Sequence, residues 1–269
     1  MRTLLFTVVA FLIFGSLSIA VADEADKAEL ARLFPKGAHR LQMSYTYLNA
    51  AEADFAIWVP SYSWAYSRRL RITGLTGYAD AKFHVPNAID DNARSGLFDS
   101  FLVVQYDPGR RLTANSFVPN TLGLTFKLRA PTGDAAKGLG LDTWVGTVGA
   151  GWLVDFPYRF WLQPTIQYGH SLRQGSLGRE VETAEASLGL YWLFPFRAWL
   201  GIKPAFDCDL VLDDCGTNLS LTFGKSWPSG FTINLSADRL DRIDPLATRD
   251  DRQVFLSVSY QFGEPPPDR

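Results

Sequence analysis

From Gly37 onward, apolar and polar residues alternate with a period of two. Leu41, Met43, Tyr45 and Tyr47 interleave with Gln42, Ser44 and Thr46. The same alternation recurs at Leu122–Leu128, Phe160–Tyr168, Leu219–Phe223, Phe231–Ala237 and Val254–Phe262. A strand turns successive side chains to opposite faces, so each stretch predicts one strand with an apolar and a polar side. Twelve strands are predicted, over 38–48, 53–66, 69–84, 97–106, 119–130, 143–155, 158–170, 183–194, 196–208, 216–226, 231–240 and 252–262. Segments of this length and pattern mark a membrane β-barrel, but a soluble sandwich shows the same alternation.

The connections separate the two. With the N-terminus periplasmic, the external connections are 49–52, 85–96, 131–142, 171–182, 209–215 and 241–251, most of them long and polar. The periplasmic ones are 67–68, 107–118, 156–157, 195 and 227–230, all tight except 107–118. Alternating long and short connections, with an even strand number returning the C-terminus to the periplasm, is the asymmetry of outer-membrane barrels. Three tight turns carry flanking aromatics: Phe156-Pro157-Tyr158, Phe194-Pro195-Phe196 and Trp227-Pro228. Trp152, Trp161, Trp192 and Trp199 lie close by. Such residues fit a girdle at the membrane–water interface. The expected fold is all-β: one antiparallel up-and-down transmembrane barrel over 37–262.

The N-terminus reads as an export signal. Arg2 precedes the uncharged run Leu4–Ile19, Ala20-Val21-Ala22 forms a small-residue cleavage site, and Asp23, Glu24 and Asp26 follow. Residues 1–22 are therefore expected to be a signal peptide. A short helix is expected over 23–36, as a lead-in or as a plug in the lumen, the lead-in being preferred. Residues 263–269 contain three prolines, cannot extend a strand and are expected to be a disordered tail. In an exported chain the pair Cys208 and Cys215 is expected to form a disulfide. A net charge of −2 gives no footprint for nucleic acid.

The run Leu128-Arg129-Ala130-Pro131-Thr132-Gly133-Asp134, followed by Gly138-Leu139-Gly140 and Gly149-Ala150-Gly151, resembles the outer-membrane barrels of the MetA-pathway phenol-degradation family, often labelled transporters. Gly96 with Asp99 resembles the G-x-G-D strand that precedes this pattern in the family, with Phe98 and one extra residue departing from it. The match covers about fifty residues. It implies passage of small apolar or aromatic molecules. Physically, Pro131 fixes φ after the strand, Gly133 permits a positive φ and Asp134 caps the turn. Either a loop turn or a ligand contact fits Pro131, Thr132, Gly133 and Asp134.

If the apolar alternates face lipid, the interior receives Arg40, Arg71, Asp99, Lys127, Arg129, Gln163, Gln167, Glu185, Arg197, Lys203, Asp207 and Asp238. An Arg or Lys on the lipid face near the midplane costs roughly 2–4 kcal/mol, which fixes this register. The set either pairs across a filled interior or lines a narrow polar path, to which inward Trp161, Tyr191 and Trp199 add an aromatic stretch. His170-Ser171, near Glu182 and Glu185, is the one catalytic candidate for a lipid hydrolase. Adjacent strand residues point to opposite faces, which argues against it. Asp207, Asp209, Asp213 and Asp214 form an acidic cluster read as a solvated loop, with no metal and no cofactor expected. His39 and His84 are read as surface residues.

The sequence thus predicts a non-enzymatic outer-membrane channel for small, hydrophobic or aromatic solutes. The alternatives are a structural or adhesive barrel with a filled interior, and then a hydrolase. Expected partners are the bilayer, lipopolysaccharide, a small apolar solute and the barrel-assembly machinery, which would engage the last strand at Phe262.

Overall fold

The computed structural model describes residues 37–262, except 50–52, 68, 84–91, 108–120, 138, 157–159, 177, 179, 195–196, 228 and 243–249. The expected leader 1–22, helix 23–36 and tail 263–269, together with His84, lie outside the described residues.

Twelve strands follow one another: β1 (His39–Asn49), β2 (Ala53–Ala65), β3 (Leu70–Phe83), β4 (Asn92–Tyr106), β5 (Thr121–Ala130), β6 (Thr143–Phe156), β7 (Phe160–Gln174), β8 (Glu182–Leu193), β9 (Ala198–Asp209), β10 (Asp214–Ser226), β11 (Phe231–Arg242) and β12 (Asp250–Phe262). Each pairs antiparallel with its sequence neighbours, and β1 pairs with β12 to close the barrel. The closing register runs from His39 opposite Phe262 to Asn49 opposite Arg252. Closure leaves neither β1 nor β12 as a free edge, which a wall facing hydrocarbon requires.

The connections at the end that holds β1's start and β12's finish are 66–69, 107–120, 157–159, 194–197 and 227–230. The connection after β4 is genuinely long, since Tyr106 ends that strand and Thr121 starts the next. Two strands outrun their expected limits. β4 begins at Asn92 and not at 97, and β7 continues to Gln174. Each carries an irregularity in register, between Leu75/Gly77 and their β4 partners and between Trp144/Val145 and their β7 partners.

Exposure follows the expected period. Leu41, Met43, Leu124, Phe126, Ile166, Leu219, Leu221, Phe223, Leu235, Val254, Leu256, Tyr260 and Phe262 are exposed, while Ser44, Thr46, Lys127, Ser220, Thr222, Asn234, Ser236, Gln253, Ser257 and Ser259 between them are buried. An outer surface of large apolar side chains over a polar interior is the inverse of a soluble protein and the pattern of a lipid-facing barrel. Aromatics gather toward both ends of this surface. His39 stacks with Tyr62 and Phe262 at the terminal end, and Tyr45, Trp58 and Tyr78 form a row toward the far end. Trp192 is exposed beside its turn, but Trp161 and Trp199 turn inward and are buried. The turn-flanking tryptophans therefore divide between the outer girdle and the interior.

Candidate functional site

The interior has two unlike walls. On β1–β4, Leu48, Phe55, Ile57, Val59, Leu75, Ala79, Ala81, Phe98, Phe101 and Val103 form one apolar cluster. It reaches from the far end of the strands to their middle. From β5 onward the buried positions are mostly polar or charged.

The two walls meet at Asp99. Its carboxylate is fully buried, and the Arg129 Nε and Nη2 each donate to Oδ2 at 2.6 Å. The Gly133 N–H donates to Oδ1 at 2.8 Å and the Leu141 N–H to Oδ2 at 3.0 Å. The Arg129 guanidinium lies over the rings of Phe98 and Phe101, 5.5 Å from each centroid. A buried carboxylate survives only when its lone pairs are occupied by donors, and here four N–H groups converge on it. The bulge in β4 explains the arrangement. One extra residue puts both Phe98 and Asp99 on the inner face.

The Pro131-Thr132-Gly133-Asp134 loop is held against β4. The Thr132 Oγ1 accepts from the Ser100 N–H at 2.8 Å, and the Asp134 N–H donates to the Leu97 carbonyl at 3.1 Å. Asp134 receives the Lys137 N–H and pairs with its ammonium at 2.9 Å, capping the 3-10 turn Ala135–Lys137. The Lys137 partnership holds the exposed Asp134 carboxyl below the ordinary carboxylate range. β4 extends beyond the end of its pairing with β5 at Ser100–Ala130, and this loop covers the edge left over. Gly133 does not adopt a positive φ, contrary to the turn expected there. Its lack of a side chain serves close approach instead. A Cβ on Gly133 would sit 2.8 Å from Asp99 Oδ1, and one on Gly140 2.7 Å from the same atom. Leu139 is fully buried in the apolar cluster.

A polar ladder crosses the second wall. The Lys127 ammonium donates to Gln167 at 2.6 Å, Gln167 reaches Glu185 at 3.5 Å, and Lys203 pairs with Glu185 at 3.3 Å. Asp207 stands opposite Glu185 across β8 and β9, and Ser220 donates to Asp238. Arg40, near Gln261, together with Arg71 and Gln163, is half-buried. Arg197 departs from expectation: it is exposed at the turn before β9 with φ 58, outside the phase of the strand. Toward the terminal end Trp161, Tyr191 and Trp199 form a buried aromatic cluster. Glycines make room for it, since a Cβ on Gly189 or Gly201 would meet the Tyr191 ring at 2.5 Å and one on Gly224 would meet Trp199.

The remaining candidates are dispersed. His170 is exposed, while the Ser171 hydroxyl donates to the Val181 carbonyl and accepts from its N–H. The four aspartates do not form one cluster. Asp207 and Asp209 are buried, Asp209 accepting from Val211 and Leu212 in the hairpin turn, whereas Asp213 is exposed. Cys208 and Cys215 form the expected disulfide across β9 and β10. His39 bonds Tyr62 at 2.6 Å. The apolar wall was missed as a site. Its signal was present in the apolar residues Phe55, Ile57 and Val59, which alternate with outward Ala56 and Trp58.

No family model and no curated protein matches the chain. Solved structures do. An outer-membrane channel from Pseudomonas putida F1 is similar with a TM-score of 0.64 at 16% identity, over 85% of this chain and 97% of that one. The translocator domain of the autotransporter NalP from Neisseria meningitidis gives a TM-score of 0.57 at 13% identity, over 95% and 97%. The KdgM porin gives 0.51 at 9% identity, over 82% and 99%. These likenesses concern the fold.

Proposed function

We propose that this chain is an outer-membrane channel for small apolar or aromatic molecules. One observation carries the solute class. The inner face of β1–β4 carries an apolar stripe, including Phe55, Phe98 and Phe101, in a barrel whose other inner positions are mostly polar or charged. An apolar solute crossing a polar lumen gains by following such a wall, because each stretch of the stripe removes apolar surface from water. The lipid-type outer surface, both strand termini at one end and the likeness to outer-membrane channels and porins support the location and the channel role. The sequence resemblance to the MetA-pathway family points the same way. On this reading the leader 1–22 exports the chain, the far-end loops face lipopolysaccharide, and the terminal strand ending at Phe262 is what the assembly machinery engages.

Toluene uptake by proteoliposomes tests the reading. Flux above that of empty liposomes is expected, with a drop when Phe55 is replaced by Asp, since a charge would interrupt the stripe. Flux equal to that of empty liposomes overturns it. A second reading, a structural barrel with a filled interior, is favoured by the inward-seated Leu139 and the paired polar ladder. It predicts no flux of any solute.

A further inference from the structure

A cavity of about 330 Å³ lies on β1–β4, near the end of the barrel away from the two chain termini. Pairing arranges its lining in rows. Tyr47 stands opposite Ala56, Ala56 opposite Asp80 and Asp80 opposite Ser95. Two residues further along, Asp54 stands opposite Lys82 and Lys82 opposite Ala93. All of these share the outward phase of the exposed Trp58 and Tyr78. Phe55 and Ala81, between the two rows, are 1% and 3% exposed and point inward, so their main chain floors the cavity from the outer side. Side-chain size makes the space. Ala56, Ala93 and Ser95 are small, and Tyr47, Asp54, Asp80 and Lys82 wall them in.

The aromatic row beside the cavity sets its depth in a membrane. Tyr45 stands opposite Trp58 and Trp58 opposite Tyr78 on the same outer face, with ring centroids 5.4 and 6.5 Å apart in turn. Tyrosine and tryptophan rings near the end of a barrel mark the level of the lipid headgroups. The row from Tyr47 to Ser95 lies two residues beyond them, roughly 7 Å along the strands. Asp54, Asp80 and Lys82 are outward charges that hydrocarbon would not accept, and this level accepts them. The cavity therefore faces lipid headgroups and not the lumen.

The lining selects among headgroups. Asp54 and Asp80 accept hydrogen bonds, Lys82 donates and Ser95 does both. The Asn49 amide donates to Asp54 at 2.7 Å and fixes that carboxylate at the rim. A bare anion would meet two carboxylates for one ammonium, and a bare cation would meet the ammonium. A head that carries a phosphate and several hydroxyls matches both signs, with the phosphate on Lys82 and the hydroxyls on the carboxylates. The exposed ring of Tyr47 adds a face against which a sugar ring packs. The volume falls in the range of ligand pockets, about 300–1,000 Å³, and a slender ethanolamine head would leave much of it empty. We propose that this cavity binds the phosphorylated sugar headgroup of an outer-leaflet glycolipid. It rests on the channel reading in one respect, that the barrel sits in an outer membrane with this end external.

The test is native mass spectrometry of the full chain, folded in an amine-oxide detergent and titrated with lipid A, phosphatidylethanolamine and phosphatidylglycerol in turn. One lipid A is expected to stay bound at a concentration roughly tenfold below that needed for either phospholipid. Lys82→Gln removes the partner of the phosphate, and Ser95→Trp fills the cavity. Each is expected to weaken lipid A binding by roughly tenfold. Phe206→Trp, at an exposed position of β9 across the barrel, is expected to leave it unchanged. Heat-modifiable gel mobility reports whether each variant has folded, and either Lys82→Gln or Ser95→Trp suffices. Phospholipid binding as tight as that of lipid A overturns the proposal. So does lipid A binding that persists unchanged in the folded variants. Toluene flux without a preference for lipid A removes this site and keeps the channel, whereas that preference without flux of any solute keeps the site and removes the channel.

Discussion

Asp99 places a negative charge where water is absent and offsets it with Arg129 and two backbone N–H groups. Removing one member of such a pair leaves the other charge buried and alone, at a cost of about 3–5 kcal/mol. Asp99→Asn is therefore expected to lower stability by that order, read as a lower urea midpoint for barrel unfolding in detergent micelles. Gly133→Ala is expected to act on the loop, because its Cβ would collide with the Asp99 carboxylate and backbone. The loop must move, and protease cleavage between Pro131 and Asp142 should become faster while the barrel stays folded. Acid acts on the same loop through Asp134. A carboxyl held below its ordinary value contributes stability above the unfolded pKa, and that contribution is lost as pH falls through the folded one. The motif's chemistry was legible in the sequence as Pro-Thr-Gly-Asp. Asp99 was legible as an inward residue, but its contact with Arg129 and Gly133 was not, because the three lie on segments some thirty residues apart.

Each strand carries a register that single substitutions can check. Leu221 is exposed and Thr222 is buried, one residue apart on β10. An arginine at Leu221 meets hydrocarbon and should cost roughly 2–4 kcal/mol at mid-depth, whereas Thr222→Arg faces the interior and should cost less. Equal losses from the two would contradict the lipid-facing assignment. The β9–β10 hairpin is a second test. Its disulfide joins residues seven apart, so it closes a short loop, and its loss should cost about 2 kcal/mol. Cys208→Ser with Cys215→Ser is expected to leave the barrel folded, with a modestly lower unfolding midpoint. The strands and this bridge were readable from periodicity and export context. The overextension of β4 and β7 was not, because it depends on pairing with the far ends of β3 and β6 across a break in register.

At the scale of the whole barrel, function depends on what the closed wall encloses. The apolar stripe of β1–β4 is the proposed contact for a solute, and toluene flux tests it. The sequence by itself determined the alternation, the number of strands, the outward apolar face and the pairing of Cys208 with Cys215. These follow from local rules: a period of two, the cost of charge in lipid and the proximity of two thiols in a hairpin. Tertiary structure alone decided that Asp99 lies against Arg129 and Gly133, that β4 carries a bulge, and that Arg197 leaves the interior. Each depends on contacts between residues far apart in the chain or on a local break in phase, and a period of two carries no information about either.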